Sequence, residues 1–169
     1  IVVGSAIGLV AMLGIVSTSG DIWSPYYRIS VAEYDGGYAI GVNGIPHQAI
    51  IEIEDRIAAE PTYQLPYDRY AAGPPESVLI FGAGNGTDVA IALANGAQSV
   101  DAVEIDPALY VLGEELNPNE PYLDPRVRVT IDDGRSFMER TERRYDLILY
   151  ALPDSLTLVG GQGNLRLES

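Results

Sequence analysis

The chain opens on twenty residues without a charge, IVVGSAIGLVAMLGIVSTSG, and then breaks into short apolar runs separated by glycine, proline and acidic positions. An uncharged run of that length makes a helix of about 30 Å, the thickness of a bilayer's hydrocarbon core. Residues 1–20 are therefore expected to form a hydrophobic helix, read as membrane-spanning ahead of a buried core helix or a signal-peptide remnant, since Met and a basic n-region are both absent. Trp23, Tyr26 and Tyr27 follow at once, as in an interfacial aromatic belt, and Gly4 and Gly8 form a GxxxG pair against which another helix can pack, so self-association is open. The pattern then alternates. Tyr27 to Glu33 and Tyr38 to Val42 read as paired strands around Asp35-Gly36-Gly37, and Asn43-Gly44 is a second tight turn before a strand over Ile45 to Ile53. Region 23–60 is thus expected to be a small antiparallel β-hairpin unit. Glu60 to Pro66 reads as loop, Tyr67 to Ala72 as a short helix, and Gly73-Pro74-Pro75 as a break.

From Val78 onward strands and helices take turns. Val78 to Phe81 is a continuous apolar run, as in a parallel strand covered on both faces. The helix that follows runs through Val89, Ala90, Ile91, Leu93 and Ala94, and Asn95-Gly96 stops it. Val100 to Val103 make a second strand. Asp106 and Pro107 have the residue types of a helix cap and first turn, and that helix fades before Asn117-Pro118. Val127 to Ile131, a helix over Ser136 to Arg140, and Tyr145 to Tyr150 complete the series. Alternation of this kind predicts an α/β unit over 61–169 with a parallel sheet and right-handed crossovers. The chain starts at Ile1 rather than Met and stops soon after the fourth strand, so it reads as a fragment, with the missing part expected beside that strand.

Chemistry concentrates in VLIFGAGNGTDVAIALANGAQSVDAVEIDP, residues 78–107. Gly82, Gly84 and Gly86 come where the chain must turn from strand into helix and let a ligand approach the backbone. Glu104 stands at the tip of the next strand, twenty positions after Gly84. An acid so placed can accept hydrogen bonds from both hydroxyls of a ribose, the layout of a nucleoside site. The competing reading is an ordinary βαβ turn with Glu104 as a solvated strand end.

Composition narrows the partners. With 24 acidic residues against ten basic ones, all arginine, the formal charge is −14. A nucleic-acid partner is excluded on that balance, because phosphate binding needs a basic face. A cationic ligand fits, and so does a solvated acidic surface. No cysteine is present, so thiolate metal sites and disulfides are out of the question. His47 is the single histidine; with no acid or second ligand spaced to orient it, it reads as a surface or packing residue rather than a base. No metal site is expected.

The order GxGxG, VEIDP, DDG and YDLIL, preceded by a hairpin ending NGIPHQ, resembles the spermidine synthases, which are polyamine aminopropyltransferases. The likeness covers roughly Trp23 to Ser155, and the apolar start and the GQGNLRLES ending are similar to membrane-fused relatives. It implies a Rossmann-like, class I S-adenosylmethionine methyltransferase fold, here truncated at its C-terminus and preceded by the hairpin unit and the hydrophobic helix. The implied ligand is S-adenosylmethionine or its decarboxylated form, as substrate, with a small-molecule amine as partner. A ligand made in the cytoplasm implies that the globular part lies on that side. By resemblance Gly82, Gly84 and Gly86 cradle the nucleoside's amino-acid part, Glu104 holds the ribose, and Asp133 accepts from the adenine amino group. Gln48 faces the sulfonium arm, and Tyr67 and Asp68 stand near the amine. Asp133 is equally placed to cap the next helix.

Two departures bear on the reaction. Where the resembled family carries an acid that grips the aminopropyl ammonium, this chain has Asn85. Where the family places the base that deprotonates the attacking amine, the run Tyr145 to Ser155 has Ala151, and Asp154 matches only a second acid. Losing a base costs rate even if binding survives. Three functions stay open: an aminopropyltransferase using Asp154 and Tyr67, an S-adenosylmethionine-dependent methyltransferase, and a membrane-tethered module that binds a nucleoside or polyamine without turning it over.

Overall fold

The computed structural model describes residues 20–151, which build two four-stranded sheets. The first is antiparallel, in the order β1 (Ile22–Trp23), β2 (Arg28–Tyr34), β3 (Gly37–Val42) and β4 (Ile45–Ile50). Two of its three turns, β2–β3 and β3–β4, are where the sequence puts them; the third, over residues 24–27 between β1 and β2, was not expected. Tyr34 pairs with Gly37 across Asp35-Gly36, and Val42 pairs with Ile45 across Asn43-Gly44. Asn43 and Gly44 have φ of 53° and 82°, the conformation in which a two-residue turn matches the twist of the strands. Tyr27, Ile29, Ile40, Val42 and Ile50 point to one side and pack against Leu109 and Leu112. Each such buried aliphatic side chain contributes about 1.5–3 kcal/mol.

Two short helices follow, α1 (Ile53–Ala59) and α2 (Leu65–Asp68), with a 3-10 turn at Pro61–Tyr63 between them. Then come β5 (Ser77–Phe81), α3 (Thr87–Ala94), β6 (Ser99–Glu104), α4 (Pro107–Leu116), β7 (Val127–Ile131), α5 (Gly134–Arg140) and β8 (Leu147–Tyr150). The four strands pair in parallel in the order β7-β6-β5-β8. Strand order therefore reverses at β5. In an open α/β sheet the crevice at the carboxyl ends beside that reversal is where ligands bind. The hairpin unit packs on α4, which holds the antiparallel sheet over the glycine turn.

Two acids fasten the strands of this sheet, Asp101 from a buried position and Asp146 from an exposed one. Asp101, only 4% exposed, accepts from Arg128 at 2.9 Å, Arg143 at 2.7 Å and the Tyr145 hydroxyl at 2.7 Å. It ties β6 to β7 and to the approach to β8. Asp146 accepts from the Ser77 and Glu76 amides at 2.8 and 3.1 Å, fastening the start of β8 to the start of β5.

Several expectations change. The strand expected over Ile45 to Ile53 ends at Ile50, and Ile53 starts α1 instead. Asn119 causes this, accepting from the Ile53 amide at 3.3 Å and donating to the Ile51 carbonyl at 3.1 Å. The helix expected over Tyr67 to Ala72 sits earlier, at Leu65–Asp68, with proline in its first turn, where a missing N–H costs nothing. Of the aromatics expected in a membrane belt, Trp23 is 74% exposed, but Tyr27 is buried in the core beneath the antiparallel sheet. The hydrophobic helix expected over residues 1–20 lies outside the described residues, apart from Gly20. Among the described residues no helix is long and apolar enough to cross a membrane.

Candidate functional site

The glycine turn joins β5 to α3, and its three glycines all have positive φ: 72° at Gly82, 52° at Gly84 and 88° at Gly86. The Gly82 and Ala83 amides both donate to the Val103 carbonyl, at 2.9 and 3.2 Å, which holds the turn against the end of β6. Tyr122 donates its hydroxyl to the Gly84 carbonyl at 2.7 Å, and its ring and Pro121 lie where a side chain at Gly86 would have to go. Gly84 is crowded from the other side. A Cβ there would stand 2.3 to 2.9 Å from the Gln48 carboxamide, whose Oε1 accepts from the Asn85 amide at 3.2 Å.

Glu104 is 4% exposed and bonds to the turn directly. One oxygen accepts from the Gly84 amide at 2.7 Å and the other from the Asp106 amide at 2.8 Å. Burial raises its carboxyl above the usual glutamate range against the pull of those two amides. Each oxygen keeps a second lone pair, so the carboxylate is oriented by backbone and can still accept from a ligand. Asp106 is fully buried, and its side chain caps α4 by accepting from the Ala108 amide at 2.9 Å, as its sequence position suggests.

Beside these tips lies a cavity of about 640 Å³, lined by Phe81, Gly82, Val103, Ile105, Asp133 and Tyr150 among others. Its walls are mostly apolar, with Asp132, Asp133, Glu139 and Arg135 as the charged members, the usual character of a small-molecule site. The Phe81 and Tyr150 rings lie 5.1 Å apart at the cavity edge. Asp133 caps α5, its Oδ1 accepting from the Arg135 and Ser136 amides at 3.0 and 3.1 Å. The helix-cap role is thus realised, and Oδ2 is the oxygen left for a ligand. Neighbouring Asp132 pairs with Arg140.

The other named positions divide. Asn85 is 1% exposed, and its side chain turns away from the turn to donate to the Leu109 carbonyl at 2.8 Å, with Oδ1 left unpartnered. Tyr67 turns inward and packs on the core formed by Ala83, Val89 and Tyr122, its hydroxyl buried without a hydrogen bond. Asp68 is exposed. Half-buried His47 lies 6.3 Å from the Tyr27 ring. Ala151 donates its amide to the Phe81 carbonyl and packs its methyl on the core at the tip of β8. Asp154 lies outside the described residues. No group of three histidine or acidic side chains is placed to hold a metal among the described residues.

One acid escaped the sequence reading. Asp88, in the first turn of α3, is desolvated enough that its carboxyl rises to about 6, and Arg56 only partly offsets this. Arg56 is committed elsewhere, with one nitrogen on Glu60 at 2.5 Å and another on the Ala49 carbonyl at 2.9 Å. Burial first, and the Asp88 charge second, push the Tyr67 hydroxyl well above the ordinary tyrosine range. The signal in sequence was a lone acid inside an apolar helix, which usually means only a solvated edge.

No family model matches the chain. Its curated relatives include the polyamine aminopropyltransferase of Thermoplasma volcanium, 28% identical over 76% of this chain and 47% of the relative. Those of Korarchaeum cryptofilum and Hamiltonella defensa are 34% and 37% identical, each over 47% of this chain and under a third of their own length. The chain spans at most about half the length of these relatives. Among solved structures, a spermidine synthase bound to the transition-state analogue AdoDATO shares the fold with a TM-score of 0.63 at 20% identity, over 80% of this chain and 47% of that one. The spermidine synthase of Thermotoga maritima follows at 0.60, also 20% identical, over 77% and 47%. In sequence and in fold the chain is spermidine synthase-like, related to the polyamine aminopropyltransferases over about three quarters of its own length.

Proposed function

We propose that this chain is the nucleoside-binding part of an aminopropyltransferase, taking decarboxylated S-adenosylmethionine as substrate and a polyamine as acceptor. The observation that carries the reading is the buried Glu104 carboxylate held across the glycine turn by the Gly84 amide. It leaves lone pairs for two ribose hydroxyls at the strand tip where a nucleoside site is expected. The cavity between Ile105 and Tyr150 then receives the adenine, with Asp133 Oδ2 toward its amino group. Gln48, Gly84 and Gly86 border the path of the sulfonium arm.

In the reaction the amine nitrogen forms a bond to the propyl carbon attached to sulfur. The carbon–sulfur bond breaks, sulfur keeps the electron pair, and methylthioadenosine leaves. The nitrogen's proton must pass to a base. Asp154 is the proposed acceptor, because Ala151 has no proton-accepting group. Tyr67 and the Asp88 charge are close enough to interact, and an amine cation brought beside them would offset the cost of burying that charge. Asn85 with its amide turned away and Ala151 favour a second reading, a module that binds the nucleoside without transfer. The uncharged sequence of residues 1–20 supports a membrane tether, which fractionation of the protein tests.

Chromatography of the protein incubated with decarboxylated S-adenosylmethionine and putrescine tests the main reading. Methylthioadenosine and spermidine appearing in equal amounts support it. Binding without either product supports the second reading, and transfer of methyl from S-adenosylmethionine contradicts both.

A further inference from the structure

We propose that Ser24, in the turn between β1 and β2 of the antiparallel sheet, is a positioning residue for the nucleoside site, acting through Asp106 on Glu104. Ser24 donates its single hydroxyl proton to Asp106 Oδ2 at 2.5 Å, across 82 positions of sequence. The Tyr27 carbonyl, at 3.3 Å, is the weaker alternative acceptor. The hydroxyl's lone pairs are used as well, accepting from the Tyr26 and Tyr27 amides at 3.1 and 2.9 Å. A backbone bond from the Ser24 amide to the Tyr27 carbonyl at 2.9 Å closes the same turn. The hydroxyl therefore has one orientation, fixed by the turn itself.

Asp106 passes that constraint on. It is 0% exposed, and no cation pairs with it or with Glu104 among the described residues. Its two oxygens divide between Ser24 and the α4 cap, while its own amide donates to Glu104 Oε1 at 2.8 Å. Glu104 has the Gly84 amide on its other oxygen. The order Ser24, Asp106, Glu104, Gly84 is thus continuous, each link a hydrogen bond under 3 Å. A buried carboxylate that loses a donor must find another or lose its solvation. For Asp106 the remaining freedom is rotation that disturbs the α4 cap and the amide on Glu104. Ser24 therefore sets how tightly the ribose-facing carboxylate is held, without touching the ligand. The β1–β2 turn of the antiparallel sheet is thereby wired to the nucleoside pocket.

This rests on Glu104 being the ribose acceptor. The test is calorimetry with methylthioadenosine and with its 2′,3′-dideoxy analogue, which has neither ribose hydroxyl. Wild type, S24A, S24T, E104Q and the S24A/E104Q double variant are compared. We expect S24A to weaken methylthioadenosine binding about tenfold, the size of a loosened ribose hydrogen bond to the Glu104 carboxylate, and to leave the analogue within about twofold. S24T, which keeps the hydroxyl, restores binding, and S24A adds no loss on top of E104Q. Equal weakening of both ligands, no effect, or simple additivity with E104Q overturns the proposal. Should S24A fail to fold, S24C gives the same contrast with a similar volume and a weak donor. Failure of wild type to bind methylthioadenosine overturns the nucleoside reading itself, and the proposal with it.

Discussion

Gln48, on the last strand of the antiparallel sheet, lays its carboxamide across Gly84 so closely that a Cβ on Gly84 would come within 2.3 Å of it. The same carboxamide accepts from the Asn85 amide. The hairpin unit and the glycine turn therefore meet at this side chain, directly over the backbone of the turn.

Gly84→Ala should disturb both partners. A left-handed φ costs a residue with a Cβ about 1–2 kcal/mol, and the new methyl displaces Gln48. Chemical denaturation should show that loss of stability, and methylthioadenosine affinity should fall with it. In the G84A/Q48A double variant the steric part disappears and only the backbone cost stays.

Asp88→Asn should stabilise the protein at neutral pH. The folded carboxyl titrates at about 6, above the ordinary value near 3.9 of the unfolded chain. Between those values the folded state binds more protons than the unfolded one, so stability is highest below pH 4 on this account and is lost as pH rises through 6. Two units correspond to about 3 kcal/mol, an upper figure. Urea midpoints at pH 4.5 and 7.5 should fall with pH in wild type by more than in D88N. If the variant is weaker at pH 7.5, the carboxylate has a native partner.

Ala151→Asp should restore a proton acceptor at the tip of β8. A positioned general base contributes about 10²–10⁴ in rate. Steady-state release of methylthioadenosine should rise by at least tenfold, with affinity for the nucleoside little changed. An unchanged rate would leave base duty with another group.

The parallel sheet and its ligand end were legible because their signals are local. Val78 to Phe81, the glycine turn and Glu104 fall within one βαβ unit, and the structure places each where its pattern does. Asp133 was legible as a helix cap, the role its Oδ1 performs; its ligand role came from the resemblance. The β4 boundary was not legible, because Asn119 fixes it from 66 positions away. Ser24 was invisible for the same reason. Asp88 does not stand out in sequence, where it is one acid in the first turn of an apolar helix; burial, not spacing, gives it its character. Gln48 came from resemblance alone; nothing in its neighbourhood of sequence points to Gly84.

Glu104 is the proposed ribose acceptor, and its pH dependence has a definite sign. Because burial raises its carboxyl, ribose binding should weaken as pH falls through that raised value, while E104Q should bind weakly at every pH. Calorimetric titration of methylthioadenosine into wild type and E104Q at pH 7.5 is the most direct measurement. Loss of the charged acceptor should weaken binding about 10- to 100-fold. Equal affinity of the two proteins would contradict a nucleoside site built on Glu104.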